Sequence, residues 1–365
     1  MGLKCGIIGI TNTGKTTLFN CISETKVAIS NFAFSTNKSN LGQVKVPDER
    51  LQMLDALIHS ARIMPTTVDI VDIPGLTKGS SKGEGVGNSF LADIRNCDAL
   101  IHVVRCFDDP NLPHIDTSID PVRDRETIDL ELQVKDLDAV EKRISKLEKG
   151  AKAGDKASKR GLEVMTAIKA HLEDFQNIRT MSFSHEDEEF FSDLCLLTIK
   201  PVIYVCNVDE KSAATGNAYS SRFIESLLGT QAETLIIAAK AESDIAELED
   251  PEDRAAFLAE LNLKEPGVNK LIRSAFTILN LEVFFTAGPK EVRAWTIKKG
   301  ATAPEAAGVI HSDLQRGFIR AEVIKYKDYI SLKSESACRD AGKLNIEGKN
   351  YIVEDGDILN IRFNV

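Results

Sequence analysis

The sequence has no apolar run approaching the roughly 20 residues that span a bilayer, no Cys-x-x-Cys pair and no excess of positive charge. The first absence argues against a membrane-spanning helix, and no membrane partner is expected. The start, "MGLKCGIIGI", lacks a polar cleavage region and continues as a core strand, so it is not read as a signal peptide. The second absence bears on Cys5, Cys21, Cys97, Cys106, Cys195, Cys206 and Cys338. Several sit inside apolar stretches; reduced, buried thiols in a cytoplasmic protein explain them better than a metal site or a disulfide framework. The third absence, a net charge of −10, means that the surface as a whole does not attract nucleic acid. Any polyanion contact needs a local patch.

What is present is an alternation of strands, turns and helices. At 365 residues two or three domains are expected. Apolar strands are expected over Leu3–Ile10, Leu41–Val46, Val68–Asp72, Ala99–Phe107, Pro201–Val208 and Thr234–Ala239, and a helix over Lys15–Ser23. Such spacing indicates an α/β fold, a mostly parallel sheet with helices on both faces.

From about Glu126 to Phe175 the strand signals cease. Leu137, Val140, Ile144 and Leu147 form one helical stripe, and Leu162, Met165, Ile168, Leu172 and Phe175 a second. With the glycine-bearing connector "KGAKAGDKASKRG" between them, they fit two long antiparallel helices. These either project as an arm, the better fit, or lie as a bundle on the sheet. The tip carries Lys142, Arg143, Lys146, Lys149, Lys152, Lys156, Lys159 and Arg160 against Glu148 and Asp155. It is a candidate contact for an RNA phosphate backbone, or an ordinary solvated hairpin. From about Leu281 onward the chain turns short-stranded, with Gly and Asp turns, as in a small α+β domain.

"GITNTGKTT" places Gly9, Gly14, Lys15 and Thr16 in P-loop spacing between an expected strand and helix. The glycines let backbone N–H groups turn toward phosphates, and the helix start adds the positive end of its dipole. Asn12, Thr13, Gly14, Lys15, Thr16 and Thr17 form the expected phosphate-binding run, with Lys15 catalytic in neutralising β/γ oxygens. Thr16 offers a hydroxyl to Mg²⁺. In "VDIVDIPG", Asp72 closes a strand where it can hold the Mg²⁺ hydration shell, and Gly75 can donate its N–H to the γ-phosphate. "NFAFSTNKSN" reads as a first switch with Thr36 as a metal ligand, or as a surface loop; the glycines after Gly75 suit a second switch.

Two expected parts are missing. Ras-type enzymes place a water-orienting glutamine just after the D-x-x-G glycine, whereas Leu76 stands here. Slow hydrolysis follows, or a water placed by another group. His114 is the candidate, unless it is simply an exposed loop histidine. The second gap is in the base site. "PVIYVCNVDE" ends in Asn207-Val208-Asp209-Glu210, where a guanine reader would end in Asn-Lys-x-Asp. Glu210 carries its carboxylate about 1.5 Å further out, so it crowds guanine or misses its paired donors. Asn207 can still serve adenine. The expected base-binding set is Asn207, Val208, Glu210 and Ala239 of the stretch "AAK".

"GITNTGKTTLFN", "DIVDIPGLTKGSSKGEGVGNSFLADIRNCDALIHVVRCF", "NVDE", "FFTAGPKEVRAWTIKKGATAPEAAGVIHSDLQRGFIRAEVI" and "YIVEDGDILNIRFNV" resemble, in the same order, the YchF / Obg-like ATPase family. The resemblance implies a Ras-like P-loop G domain (residues 1–122 and 200–280), an inserted coiled-coil arm (residues 123–199) and a C-terminal TGS domain of β-grasp fold (residues 281–365). It implies ATP hydrolysis in preference to GTP, slow turnover, and binding to the ribosome, through its large subunit or the whole particle, in translation or stress response. It also implies potassium stimulation, with Asn12 as the residue that would ligate the cation. Two departures, Thr11-Asn12-Thr13 in place of the family's usual Pro-Asn-Val and "NFAFST" in place of a proline-containing run, bear on switch rigidity and remove no phosphate or Mg²⁺ ligand. The alternatives are a nucleotide-gated binding module in which hydrolysis is incidental, a GTPase with relaxed base specificity, and a P-loop kinase of a small metabolite.

Overall fold

A computed structural model of the protein describes residues 3–23, 39–75, 86–114 and 116–364. The first strands are β1 (Lys4–Ile8), β2 (Asn40–Lys45), β3 (Ile63–Met64), β4 (Thr67–Asp72), β5 (Ala99–Cys106), β6 (Val202–Val208) and β7 (Glu233–Ile237). After them come β8 (Leu281–Ala287), β9 (Val292–Lys298), β10 (Phe318–Lys325), β11 (Leu344–Glu347) and β12 (Asp357–Phe363). By contacts the chain divides into two compact units, residues 1–42 with 69–271 and residues 43–68 with 272–365. Among the described residues no helix is long and apolar enough to cross a membrane.

The first unit holds a sheet of order β2-β4-β1-β5-β6-β7, in which β1 runs parallel to β4 and β5, and β6 parallel to β5 and β7. Every residue of β5 and β6 is buried, as expected of central parallel strands covered on both faces. Three polar side chains, His102, Arg105 and Asn207, are buried with them, and each needs a partner. The register sets Ile7 beside Asp72 and Arg105 beside Asn207, so the carboxyl ends of these strands converge at one edge. Ligands of open α/β sheets sit at that edge.

The inserted helices are Pro121–Lys152 and Lys156–Glu173. Asp120 caps the first by accepting from the Val122 and Arg123 amides, with Pro121 at the first helical position. The turn between them contains Gly154 at φ 92°, and Asp155 caps the second by accepting from the Ser158 amide. Ile128 and Leu132 pack into the core of the sheet, whereas Val140, Val164, Met165, Ile168 and Leu172 build a separate core with Ile178, Phe191 and Leu196. The helices thus leave the sheet and form an arm with its own interior. One member of the expected stripe differs: Phe175 is 72% exposed. The helix stops at Glu173, and Phe175 follows in a left-handed turn at φ 56° that carries its ring off the buried face.

In the second unit the order β9-β8-β12-β10-β11, with β8–β9 and β10–β12 antiparallel and the central β8–β12 pair parallel, is the arrangement of a β-grasp. Ala303, Ala306 and Ala307 of the helix Ala303–Ile310 pack into its core against Phe284 and Leu359. Residues 43–68, expected within the nucleotide domain, group here instead. β3 pairs in parallel with β9, and Arg50 of the helix Glu49–Ile58 bridges Asp48 and Asp355. A two-residue strand and a ten-residue amphipathic helix carry no mark of which sheet they will join; the open edge of β9 decides it.

The arm is fixed at its base by Asp136, which is 2% exposed and accepts from the Leu197 amide, the Thr198 amide and the Thr198 hydroxyl at 2.7–2.8 Å. Asp136→Ala leaves those buried donors without an acceptor. The expected cost is about 3 kcal/mol, read as a lower urea midpoint at unchanged slope; an unchanged midpoint would show the anchor to be dispensable.

Candidate nucleotide site

The site begins where β1 runs into the helix Lys15–Ile22. Gly14 precedes that helix at φ 90°, and a Cβ there would overlap the side-chain amide of Asn207. Only glycine satisfies both conditions. The first intrahelical bond runs from the Leu18 amide to the Gly14 carbonyl, so the amides of Lys15, Thr16 and Thr17 precede it, free of intrahelical partners. That is an anion site in waiting. Thr13 is fully buried and donates its hydroxyl to the Ile10 carbonyl at 3.2 Å. Thr17 is half-buried and accepts from the Cys21 thiol through its carbonyl.

Lys15 Nζ donates to the Ile10 carbonyl at 2.6 Å, curled back along the loop. Burial pushes its ammonium down to about 8, against the pull of Asp72. Asp72 is 3% exposed, and burial raises its carboxyl above the usual carboxylate range, opposed by Lys15 and by the Thr16 hydroxyl. Thr16 Oγ1 donates to Asp72 Oδ2 at 2.9 Å, while Asp72 Oδ1 is buried with no partner among the described residues. A buried carboxylate oxygen held beside a threonine hydroxyl at a P-loop fits the outer coordination of Mg²⁺. Gly75 comes close to Lys15: a Cβ there would stand 3.1 Å from Lys15 Nζ. Thr36 and Leu76 lie outside the described residues.

On the base side, Asn207 is 4% exposed and acts first as a bracket. Its Nδ2 donates to the Thr13 carbonyl at 2.8 Å, and its Oδ1 accepts from the Ala239 amide at 2.9 Å. One amide hydrogen is left for a ligand. Ala239 opens the helix Ala239–Glu247. The Val208 side chain is buried in the core, so only its backbone faces the site. Glu210 is exposed at the end of β6, on a short 3-10 turn that Asp209 caps.

His114 is not an exposed loop histidine. Its ring is 4% exposed, Nδ1 accepts from the Asp116 amide at 3.1 Å, and Nε2 donates to Asp124 Oδ2 at 2.9 Å. Asp124 sits in the first turn of the long arm helix, a position no sequence pattern marked. Burial raises its carboxyl, opposed by His114 and Arg123. His114, Asp116 and Asp124 stand close enough together for a cation, but the Arg123 guanidinium already lies against both carboxylates. Two further residues hold this loop. Arg105, 1% exposed, donates to the carbonyls of Phe107, Asp109 and Leu112, and Asn12 Nδ2 donates to the Pro113 carbonyl at 3.0 Å. A lone arginine inside "ALIHVVRCF" was the available signal for the first.

The depressed Lys15 makes triphosphate binding proton-linked. At about pH 9 the free ammonium is mostly neutral, and phosphate charge draws its pKa back up, so binding takes up close to one proton. Below about pH 7 the group is already charged and no uptake from it remains. Titration calorimetry in buffers of different ionisation enthalpy measures this; equal heats in all buffers at about pH 9 would exclude it.

Residues 4–143 match the family model described as "50S ribosome-binding GTPase". Residues 281–364 match a model named for the YchF GTPase C-terminus and described as "Protein of unknown function (DUF933)". The chain is 47% identical over 365 residues to the "Ribosome-binding ATPase YchF" of Haemophilus influenzae, covering all of both chains. It is 45% identical to the protein of the same name from Bacillus subtilis, again over the whole of both. The solved structure of the Schizosaccharomyces pombe YchF GTPase superposes with a TM-score of 0.86 at 35% identity, covering 99% of this chain and 98% of that one. With identity at that level along its entire length, the chain belongs to the YchF family.

Proposed function

We propose that the protein is a cytoplasmic, ribosome-binding ATPase, built as a nucleotide domain, an inserted helical arm and a TGS-type β-grasp domain. The observation that carries hydrolysis is the convergence of Lys15, the Thr16–Asp72 pair and Gly75 at the sheet edge. Asn12, Thr13, Gly14, Lys15, Thr16, Thr17 and Gly75 hold the phosphates in this reading. Thr16, Asp72 and Thr36 hold Mg²⁺, which when bound neutralises phosphate charge. Asn12, whose Nδ2 is spent on Pro113, keeps its Oδ1 for potassium. The ribosome as partner is supported by the names of the full-length relatives.

The base reading rests on Glu210, an exposed carboxylate one methylene longer than a guanine reader's aspartate. With ATP and GTP compared side by side, wild type favours ATP, and Glu210→Asp moves the ratio toward GTP by about tenfold or more. An unmoved ratio would mean that another group reads the base.

His114 places the attacking water once its ring leaves Asp124. In the present arrangement both ring nitrogens are engaged, so slow turnover is the expected behaviour. Asp124 is then a positioning residue. His114→Ala lowers kcat about 100-fold with KM little changed, and Asp124→Ala changes kcat in wild type but not on the His114→Ala background. Additive losses in the double variant would separate the two residues.

A further inference from the structure

The charges expected at the arm tip are not equivalent in the fold. Arg143 is paired with Asp193 and the Phe190 carbonyl, and Arg160 with Asp187 and Glu163. Lys142 and Lys146 have no ion pair among the described residues, and neither have Lys135, two turns nearer the sheet, and Arg95, at the end of the helix Val86–Arg95. These four line a groove of about 450 Å³ between that helix and the long arm helix, with Arg143 and one acid, Asp138.

We propose that this flank of the arm, and not its tip, is a docking surface for an RNA phosphodiester backbone. Lys135, Lys142 and Lys146 fall within about 40° of one line along the helix and span about 16 Å. Over that length a nucleic-acid strand offers about four or five phosphates. The chemistry favours phosphodiester over a carboxylate-bearing protein. Three of the four unpaired cations lining this groove are lysines, compact point charges suited to sequence-independent phosphate contact, while the arginine fork that grips carboxylates is here already spent, in Arg143, on Asp193. On a chain of net charge −10 such a stripe also orients the encounter, because the remaining surface repels the same ligand. Arg95 ends the helix that follows the D-x-x-G segment, so the surface spans the arm and the nucleotide domain.

The inference rests on the ribosome reading, and the test separates the two. The full-length protein and a variant with Arg95→Gln, Lys135→Gln, Lys142→Gln and Lys146→Gln are compared for co-sedimentation with ribosomes and for binding to an RNA duplex of arbitrary sequence, across a salt series. A tip variant, Lys152→Gln with Lys156→Gln and Lys159→Gln, is the control. For both probes the flank variant binds at least about tenfold more weakly, with a log–log salt slope shallower by about 3; the tip variant changes far less, and basal ATP hydrolysis is unaltered in both. Wild type that binds the duplex in this manner but not ribosomes would overturn the partner and leave the RNA surface standing. Flank and wild-type proteins with equal affinity and slope on the duplex would overturn the proposal. Loss confined to ribosomes, with duplex binding intact, would assign the flank to an acidic protein and overturn it equally.

Discussion

The side-chain amide of Asn207 holds the nucleotide site together. It joins the Thr13 carbonyl, 194 positions away, to the Ala239 amide, and so pins the P-loop, the end of β6 and the next helix to one another. Gly14 is confined by the same amide, since any side chain there would displace it. With its polar atoms buried and satisfied, the bracket is costly to break, because every alternative leaves a buried donor or acceptor unpaired. The phosphate cradle and the base edge are therefore held in one geometry by one residue.

A second set of buried polar contacts leads away from that bracket. Asn12 in the P-loop grips the Pro113 carbonyl, Arg105 holds three carbonyls of the same loop, and His114 reaches Asp124 in the first turn of the arm helix. Each link is a hydrogen bond between groups with few other partners, so a shift at the loop is felt at both ends. The arm is thus tied into the nucleotide domain through His114, and Asp136 closes its own base by accepting from Leu197 and Thr198.

Charge is distributed by the same economy. Most arginines of the arm and its base are spent on carboxylates or carbonyls, as with Arg143, Arg160 and Arg179, and the unpaired cations that remain are mainly lysines, three of them along one helix flank. An acidic protein can in this way keep a basic face without a basic composition.

The sequence by itself determined whatever is local. The P-loop lies within nine consecutive residues, Asp72 and Asn207 close apolar strands, and the helical stripes of the arm follow a period that needs no partner to be read. Tertiary structure decided the long-range matters. It buried His114 against Asp124, turned Asn207 into a bracket, paired β3 with the second sheet and left Phe175 in solvent. The physical reason is the same in each case: a hydrogen-bond partner or an open strand edge is chosen by which elements meet in space. Periodicity states only that a face will be buried, and leaves open against what.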